Sequence, residues 1–341
     1  MDAKAYLQSL PETIHSTAAS AVDSEHYDLV IVVITTSREW KSTTKDQQIY
    51  NLGYLTQTVA RLLQIAHTDS PARFQRKKLV VCNVDTQPDR FTEVHSLADH
   101  VQIVSRYQRT TAKPTENLHE KEKDDYVYCL QAAGRFSSPY YLVLEDDVLL
   151  DESALESMYF AMSYFGLFSA ADWLFLKLYY PEKWSGYGRC WRTVVELAGY
   201  SVLGGFLCAA VVVRLMPRYR KCRSMPAWFW FAVGAGFAPL LCASVGRPYV
   251  ESWRRSFAST HELVAAPGCC TQATLYPASL ISDLCTHLYQ MHSDAKFPVD
   301  IVVDGFARVR GLKSYLIQPN VVKHIGLMSS LSKSPSAKYF L

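Results

Sequence analysis

The run Tyr140-Tyr141-Leu142-Val143-Leu144-Glu145-Asp146-Asp147-Val148-Leu149-Leu150 joins two apolar segments through three consecutive acids. Its first five residues are aromatic or branched, and no charged residue interrupts them. Such an unbroken run predicts a strand that is buried on both faces, as in the parallel sheets of α/β proteins. The acids therefore stand at the carboxyl end of a buried strand.

Three adjacent carboxylates repel one another and raise each other's pKa unless a cation lies among them. Hard oxygen ligands suit Mg²⁺ or Mn²⁺, and open α/β sheets bind ligands beyond the carboxyl ends of their strands. The acidic triplet 145–147 is thus a candidate cation site. A solvated turn between two strands is the alternative, and the buried strand in front of the acids argues against it.

Strands and helices alternate along the chain around this run, which predicts an α/β fold with a mostly parallel sheet. The strand over 28–34 leads into Thr35-Thr36-Ser37-Arg38, and a hydroxyl-rich turn with an arginine suits a phosphate or nucleotide or caps a helix. The other predicted strands cover 78–85, 101–104, 172–180, part of 261–270, and 314–319. The predicted helices cover 52–65, 120–134, 151–168, 278–291 and a segment ending at 310.

Composition excludes some classes of protein. The chain has 341 residues, enough for one large domain or two ordinary ones, and its net charge of +3 argues against a dedicated nucleic-acid surface. The nine cysteines form no Cys-x-x-Cys pair of the kind found in zinc sites. Cys269 and Cys270 are adjacent and could supply two separate disulfides in an oxidising compartment.

Two long apolar segments follow one another over 194–246. Residues 194–213 contain Glu196 as their only charge, residues 226–246 contain none, and each segment has the roughly 20 residues that span a bilayer. The connector 214–225 carries five basic residues and no acid, which predicts that it is cytoplasmic and that both outer ends of the hairpin are lumenal. A pair of core helices is the alternative, but such helices should have a polar face.

These segments resemble a GT-A glycosyltransferase. The acidic triplet matches the motif with which that fold binds a metal, and the segment 318–331, which contains Lys323-His324-Ile325-Gly326, resembles the end of the N-acetylglucosaminyltransferase IV family. Leu176-Lys177-Leu178-Tyr179 and Cys269-Cys270-Thr271 are similar to the Golgi enzymes that add N-acetylgalactosamine to GPI anchors. In those enzymes a transmembrane hairpin interrupts the GT-A domain.

The resemblance implies how the chain is divided. It predicts an N-terminal lead-in over 1–27, a GT-A domain in two parts over 28–190 and 251–341, and a transmembrane hairpin over 191–250. It also implies a multi-pass Golgi membrane protein with a lumenal catalytic domain, and an N-terminal transmembrane helix that residues 1–27 do not contain. The implied partners are GPI-anchored proteins, their glycolipid anchor and the bilayer, with no nucleic acid.

The implied reaction transfers N-acetylgalactosamine from UDP-GalNAc to a mannose of the GPI glycan, with Mn²⁺ or Mg²⁺ and with inversion. Asp147 is the expected metal ligand, and Glu145 and Asp146 are expected to hold donor hydroxyls or metal-bound water. His324 is a second expected metal ligand, although an isolated histidine is often only a satisfied core residue. The further residues expected at the nucleotide, each of which could instead be a surface or capping residue, are Thr35, Arg38, Lys121 and Asp125. Lys177, at the end of a predicted strand, is expected to contact the donor sugar or the acceptor.

An inverting reaction needs a carboxylate that takes the proton from the acceptor hydroxyl. Asp300 and Asp304 lie one helical turn apart, so their spacing leaves both open, and Asp300 could be only a helix cap. The resemblance favours Asp300. Two other functions remain as alternatives: a lumenal UDP-sugar-dependent N-acetylhexosaminyltransferase that acts on N-glycans, and a non-catalytic membrane scaffold with a GT-A fold.

Overall fold

The computed structural model describes residues 2–9, 25–38, 40–41, 49–50, 52–66, 74–107, 117–181, 186–187, 191–215, 225–255, 261–291 and 297–326. Most of the basic connector 214–225 and the end of the segment 318–331 lie outside these residues. The described chain forms two compact units, which we name the α/β unit (Met1–Tyr179 with His261–Leu341) and the hairpin unit (Tyr180–Thr260).

The strands are β1 Leu29–Thr35, β2 Trp40–Lys41, β3 Ile49–Tyr50, β4 Lys77–Asn83, β5 Gln102–Ser105, β6 Tyr140–Glu145, β7 Val148–Leu150, β8 Trp173–Lys177, β9 Glu262–Ala265, β10 Ala273–Pro277, β11 Lys313–Gln318 and β12 Val322–His324. The helices are α1 Ala3–Ser9, α2 Tyr54–Ala66, α3 Thr92–Leu97, α4 Leu118–Ala133, α5 Ala154–Tyr164, α6 Trp191–Leu215, α7 Ala227–Val245, α8 Arg247–Arg255, α9 Ile281–Gln290 and α10 Val299–Arg310.

An eight-stranded sheet in the order β5-β4-β1-β6-β10-β8-β11-β9 forms the centre of the α/β unit. The first four strands of this order are parallel, and β11 is parallel to β8. The strand β10 runs antiparallel to both of its neighbours, and β9 runs antiparallel to β11 at the edge. The predicted α/β fold with a mostly parallel sheet is confirmed.

The side chains of β1 alternate between two hydrophobic clusters, one on each face of the sheet. Leu29, Ile31 and Val33 belong to one cluster, whereas Val30 and Val32 belong to the other. Successive side chains of a strand point to opposite faces, so a strand that is covered on both faces must be apolar at every position. This explains the unbroken apolar runs of β1 and β6.

One strand of the central sheet differs from the predictions. The segment 273–277 was not expected to be a strand, yet it is β10, which lies between β6 and β8. Its five residues include a threonine and end at Pro277, so its strand character depends on its two neighbours rather than on local pattern.

In the hairpin unit, α6 and α7 pack closely through small residues. A Cβ atom added at Gly234 would lie 2.5 Å from the Cβ of Cys208, and one added at Gly205 would lie 2.7 Å from the ring of Phe231. The Ser201 hydroxyl also donates to the carbonyl of Ala235 at 2.6 Å. Both helices are long and apolar enough to cross a membrane, over Trp191–Arg214 and Ala227–Val245.

Many apolar side chains of these two helices are exposed, among them Phe206 and Leu240. Core helices of a soluble domain would bury such side chains. The exposure therefore favours the predicted transmembrane hairpin over the predicted alternative of core helices.

Replacement of Gly234 by valine should destabilise the hairpin, because the added side chain would meet α6. We expect a loss of about 1–3 kcal/mol in the free energy of unfolding, the usual effect of overpacking. Thermal unfolding in detergent measures this effect. Gly236→Val in the same helix is the matched control, because an added Cβ there has no neighbour within 4 Å among the described residues. Equal melting temperatures for the two variants would contradict the packing described here.

Candidate active site

The acidic triplet lies at the edge of the sheet where three parallel strands end. Glu145 is the last residue of β6 and pairs with Ile34, next to the ends of β1 and β4 at Thr35 and Asn83. The turn that follows, 146–147, leads into β7. Because β1, β4 and β6 run in the same direction, their carboxyl ends form one edge, at which open α/β sheets bind ligands.

Arg38, three residues beyond β1, neutralises the two aspartates. One guanidinium nitrogen lies 2.7 Å from Oδ1 of Asp146, and another donates a hydrogen bond to Oδ2 of Asp147. The Thr35 hydroxyl donates to Oδ2 of Asp146 at 2.6 Å. Each aspartate is only 2% exposed, so the carboxylates depend on this cation, since a buried charge is costly without a partner.

The three acids differ in their affinity for a proton. Burial raises the pKa of Glu145 to about 8, and the charge of Asp147 adds to the effect. Burial also raises the pKa of Asp146 to about 6, although the charge of Arg38 opposes the increase. Burial acts in the same direction on Asp147, but the hydrogen bond from His324 and the charge of Arg38 lower its pKa below the usual value. Asp147 is therefore the acid that most readily stays ionised.

A short ribbon formed by β7 and β12 places His324 beside Asp147. His324 pairs with Val148, its Nε2 lies 3.2 Å from Oδ2 of Asp147, and the Ile325 N–H donates to the carbonyl of Asp147 at 2.8 Å. The imidazole also stacks on Tyr179, with ring centroids 5.8 Å apart. At Gly326 any Cβ would collide with the Asp147 carboxylate, so only glycine lets the chain pass there.

The triplet region fits a divalent cation whose coordination is completed by a substrate. Among the described residues no three Asp, Glu, His or Cys side chains form a complete ligand set, and Asp147 Oδ1 is a buried oxygen that has no hydrogen-bond partner. Mg²⁺ is usually bound through one or two carboxylates together with substrate phosphates. Asp147 and the adjacent His324 could hold such an ion, although imidazole suits Mn²⁺ less well than oxygen does.

A cavity of about 440 Å³ opens beside the triplet. The polar side chains that line it include Thr35, Arg38, Lys121, Glu122, Asp125 and Glu145. Its wall also includes Thr271, which directly follows Cys270, and Val299, which directly precedes Asp300. A volume of this size is typical of small-molecule sites.

Asp125 is the centre of a charged cluster in this cavity. Arg106 and Lys121 each lie 2.5 Å from one of its carboxylate oxygens, and the Tyr107 hydroxyl donates to it at 3.2 Å. Burial raises the pKa of Tyr107 to about 12, and the charge of Asp125 contributes. Lys121 also donates to the carbonyl of Val84 at 3.2 Å, so its ammonium is held at the cavity wall.

Asp300 lies in the first turn of α10 and contacts the loop before β10. The Cys270 N–H donates to Oδ2 of Asp300 at 2.8 Å. Asp304 is engaged differently, because its Oδ2 lies 2.7 Å from a guanidinium nitrogen of Arg308. Lys177, predicted to contact the donor, is 3% exposed, and its ammonium donates to the carbonyls of Pro267 and Cys269.

The structure therefore brings most of the predicted residues together at one edge of the sheet. Glu145, Asp146, Asp147, His324, Thr35 and Arg38 form one group, Lys121 and Asp125 form a second within the same cavity, and Asp300 and Lys177 hold the loop over 267–270.

Comparison with known families identifies the chain. The family described as GPI-N-acetylgalactosamine transferase PGAP4 matches residues 29–323, which is most of the sequence. The chain belongs to the PGAP4 family. It is therefore a glycosyltransferase, and the predicted fold, an α/β glycosyltransferase fold interrupted by two long apolar helices, is confirmed.

Similar solved structures share little sequence with this member of the PGAP4 family. The structure of S. aureus TarS 1-349 is 13% identical with a TM-score of 0.26, and the match covers 44% of this chain and 34% of that one. Mannosyltransferase PcManGT from Pyrobaculum calidifontis, in complex with GDP-Man and Mn²⁺, is 14% identical with a TM-score of 0.26, and the match covers 57% of this chain and 44% of that one. Mouse xyloside xylosyltransferase 1 is 7% identical with a TM-score of 0.31, and the match covers 84% of this chain and 77% of that one.

Two residues of the site were not predicted from the sequence. The buried Thr58 hydroxyl of α2 lies 2.7 Å from the carbonyl of Asp146 and 2.9 Å from that of Val148, so it holds the backbone of the acidic turn. Its position on the apolar face of α2, between Leu55 and Leu62, was a signal that it is buried. Glu122 lines the cavity beside Lys121, and it was not among the predicted site residues.

Arg38→Leu should destabilise the α/β unit by about 3–5 kcal/mol, because it removes the cation between two buried carboxylates. Thermal unfolding measures the loss, and added Mn²⁺ should recover part of it. Arg76→Leu is the control, since the exposed Arg76 side chain lies 3.5 Å from Asp28, and such a surface pair contributes about 0–1 kcal/mol. If Arg38→Leu were no less stable than Arg76→Leu, the charge balance described here would be wrong.

Proposed function

We propose that this enzyme transfers N-acetylgalactosamine from UDP-GalNAc to a mannose of the GPI glycan on GPI-anchored proteins, with Mn²⁺ or Mg²⁺ as cofactor. The observation that carries the proposal is the PGAP4 family match over residues 29–323. That match includes the acidic triplet and Asp300, and His324 lies directly after it.

The donor is proposed to bind in the 440 Å³ cavity. Arg38 and Lys121 line the cavity and supply positive charge for a diphosphate, while the Thr36 hydroxyl adds a hydrogen-bonding group. Glu145 lies at the end of β6 on the same wall, where a carboxyl group can receive hydrogen bonds from sugar hydroxyls. Arg38 also faces the acidic turn, so we place the diphosphate at that end of the cavity.

Asp147 and His324 are the proposed metal ligands, with Asp146 and Thr35 holding the turn in place. When bound, a divalent cation acts as a Lewis acid for the diphosphate leaving group. The guanidinium of Arg38 lies against the same carboxylates and can stabilise the negative charge that develops on the departing diphosphate.

Asp300 is the proposed general base, which takes the proton from the acceptor hydroxyl. The hydrogen bond from the Cys270 N–H orients its carboxylate, which lies in the first turn of α10. Asp304 fits this role less well because it forms an ion pair with Arg308.

The hairpin unit is proposed to anchor the enzyme in the Golgi membrane with the α/β unit in the lumen. The five basic residues of the connector 214–225 favour a cytoplasmic position for that connector, and both outer ends of the hairpin then face the lumen. A membrane-anchored enzyme suits an acceptor that is itself a glycolipid anchor.

The decisive experiment measures transfer of N-acetylgalactosamine from UDP-GalNAc to a GPI-anchored acceptor in the presence of Mn²⁺. Asp300→Asn should lower kcat by about 10²–10⁴-fold, the usual contribution of a general base, and should leave UDP affinity unchanged. Asp172→Asn is the control, because Asp172 forms an exposed ion pair with Lys313.

An active Asp300→Asn enzyme would overturn the assignment of the base. Transfer to an N-glycan acceptor instead of the GPI glycan would contradict the proposed acceptor. If no condition released UDP from the donor, the non-catalytic scaffold would be favoured.

Lys121→Met should weaken UDP binding by roughly tenfold, because one charge-assisted hydrogen bond is worth about 1.5–3 kcal/mol. Calorimetric titration of UDP in the presence of Mn²⁺ measures this effect. Lys313→Met, which removes an exposed lysine, is the matched control and should bind UDP normally. Unchanged affinity in Lys121→Met would place the nucleotide outside this cavity.

A further inference from the structure

The loop over 267–270 connects β9 to β10 and contains the adjacent residues Cys269 and Cys270. Their sulfur atoms lie 2.9 Å apart. Non-bonded carbon atoms stay about 3.5–4.0 Å apart, and sulfur is larger than carbon. Both side chains are partly accessible to solvent.

The backbone of this loop has an unusual conformation at the second cysteine. Cys270 has a φ of 71°, and it is the only residue other than glycine with a positive φ in the part of the chain that the structure describes. A side chain in this left-handed region is strained, because its Cβ atom comes too close to the following carbonyl oxygen. Such a conformation persists only where its surroundings hold it in place.

Two residues of the active site hold the loop. The Cys270 N–H donates to Asp300 at 2.8 Å, and the Lys177 ammonium donates to the carbonyl of Pro267 at 2.9 Å and to that of Cys269. The conformation that brings the two sulfurs together is therefore the same one that presents the Cys270 N–H to the carboxylate of Asp300.

We propose that Cys269 and Cys270 form a disulfide between neighbouring residues, which locks this loop against Asp300 and Lys177. The bond forms by exchange with a low-molecular-weight disulfide. The two thiols lose two electrons and two protons, one S–S bond forms between the Sγ atoms, and the S–S bond of the oxidant is cleaved to give two small thiols. This proposal differs from the expectation that the two cysteines could supply two separate disulfides.

The pair differs from the other disulfide in the described chain, which joins Cys82 of β4 to Cys129 of α4 across 47 residues. Adjacent Cα atoms are about 3.8 Å apart, closer than the roughly 4.4–6.8 Å of most disulfides. Strained and accessible disulfides are the more easily reduced ones. We therefore expect a mild thiol reductant to open the Cys269–Cys270 bond before the buried Cys82–Cys129 bond.

Mass spectrometry of the full chain tests the proposal. Protein purified without reductant is denatured, labelled with iodoacetamide and digested with trypsin, which releases residues 256–296 as one peptide with three cysteines. We expect one label on this peptide, at Cys285, and three labels after reduction. Cys208 and Cys242 should be labelled in both samples, and Cys82 and Cys129 only after reduction.

The variant Cys285→Ser removes the one competing partner within that peptide. Its peptide should carry no label before reduction and two labels afterwards. Two labels before reduction would overturn the proposal, and one label would show that a single cysteine pairs elsewhere, which also overturns it. This labelling result does not depend on the proposed reaction, so either can fail without the other.

The double variant Cys269→Ser/Cys270→Ser tests the link to Asp300. Because the loop would no longer hold its N–H against the carboxylate, we expect kcat to fall by roughly tenfold, the value of one charge-assisted hydrogen bond, with UDP affinity unchanged. Cys285→Ser should keep the kcat of the wild-type enzyme. An unchanged kcat in the double variant would overturn the role of the disulfide in positioning Asp300.

Discussion

The burial of two adjacent aspartates beside a partly buried glutamate is the constraint on which this structure depends. Carboxylates at this depth are unfavourable unless a cation and hydrogen-bond donors surround them. Arg38 supplies the cation, and Thr35 donates to Asp146. His324, from the part of the α/β unit that follows the hairpin in sequence, contacts Asp147. The need to neutralise the acidic turn thus brings together segments that are far apart in sequence.

The pairing of the strands explains why the α/β unit can contain a long insertion. The hairpin unit is inserted into the chain between β8 and β9, and both of these strands belong to the same sheet. The strands after the insertion complete that sheet, because β10 pairs with β6 and β8 while β11 pairs with β8. Hydrogen bonds between strands do not require that their residues be close in sequence, so the insertion leaves the sheet intact.

Elements with a strong local pattern could be predicted from the sequence. The apolar runs of β1 and β6 indicated strands covered on both faces, and the apolar segments over 194–213 and 226–246 indicated two long apolar helices, α6 and α7. The strand β10 could not be predicted, because its strand character comes from two neighbours that are remote in sequence. The role of Lys177 at the donor stays a prediction, and the structure adds that its ammonium holds the loop over 267–270.

Local pattern alone was enough to place the acids at the end of a buried strand, because apolar periodicity and charge repulsion act over a few residues. It could not show that Arg38 neutralises Asp146 and Asp147, that Thr58 holds their turn, or that Cys270 faces Asp300. Those contacts join segments separated by tens to hundreds of residues. They exist only after strand pairing and helix packing have fixed the backbone, and for that reason tertiary structure alone decided them.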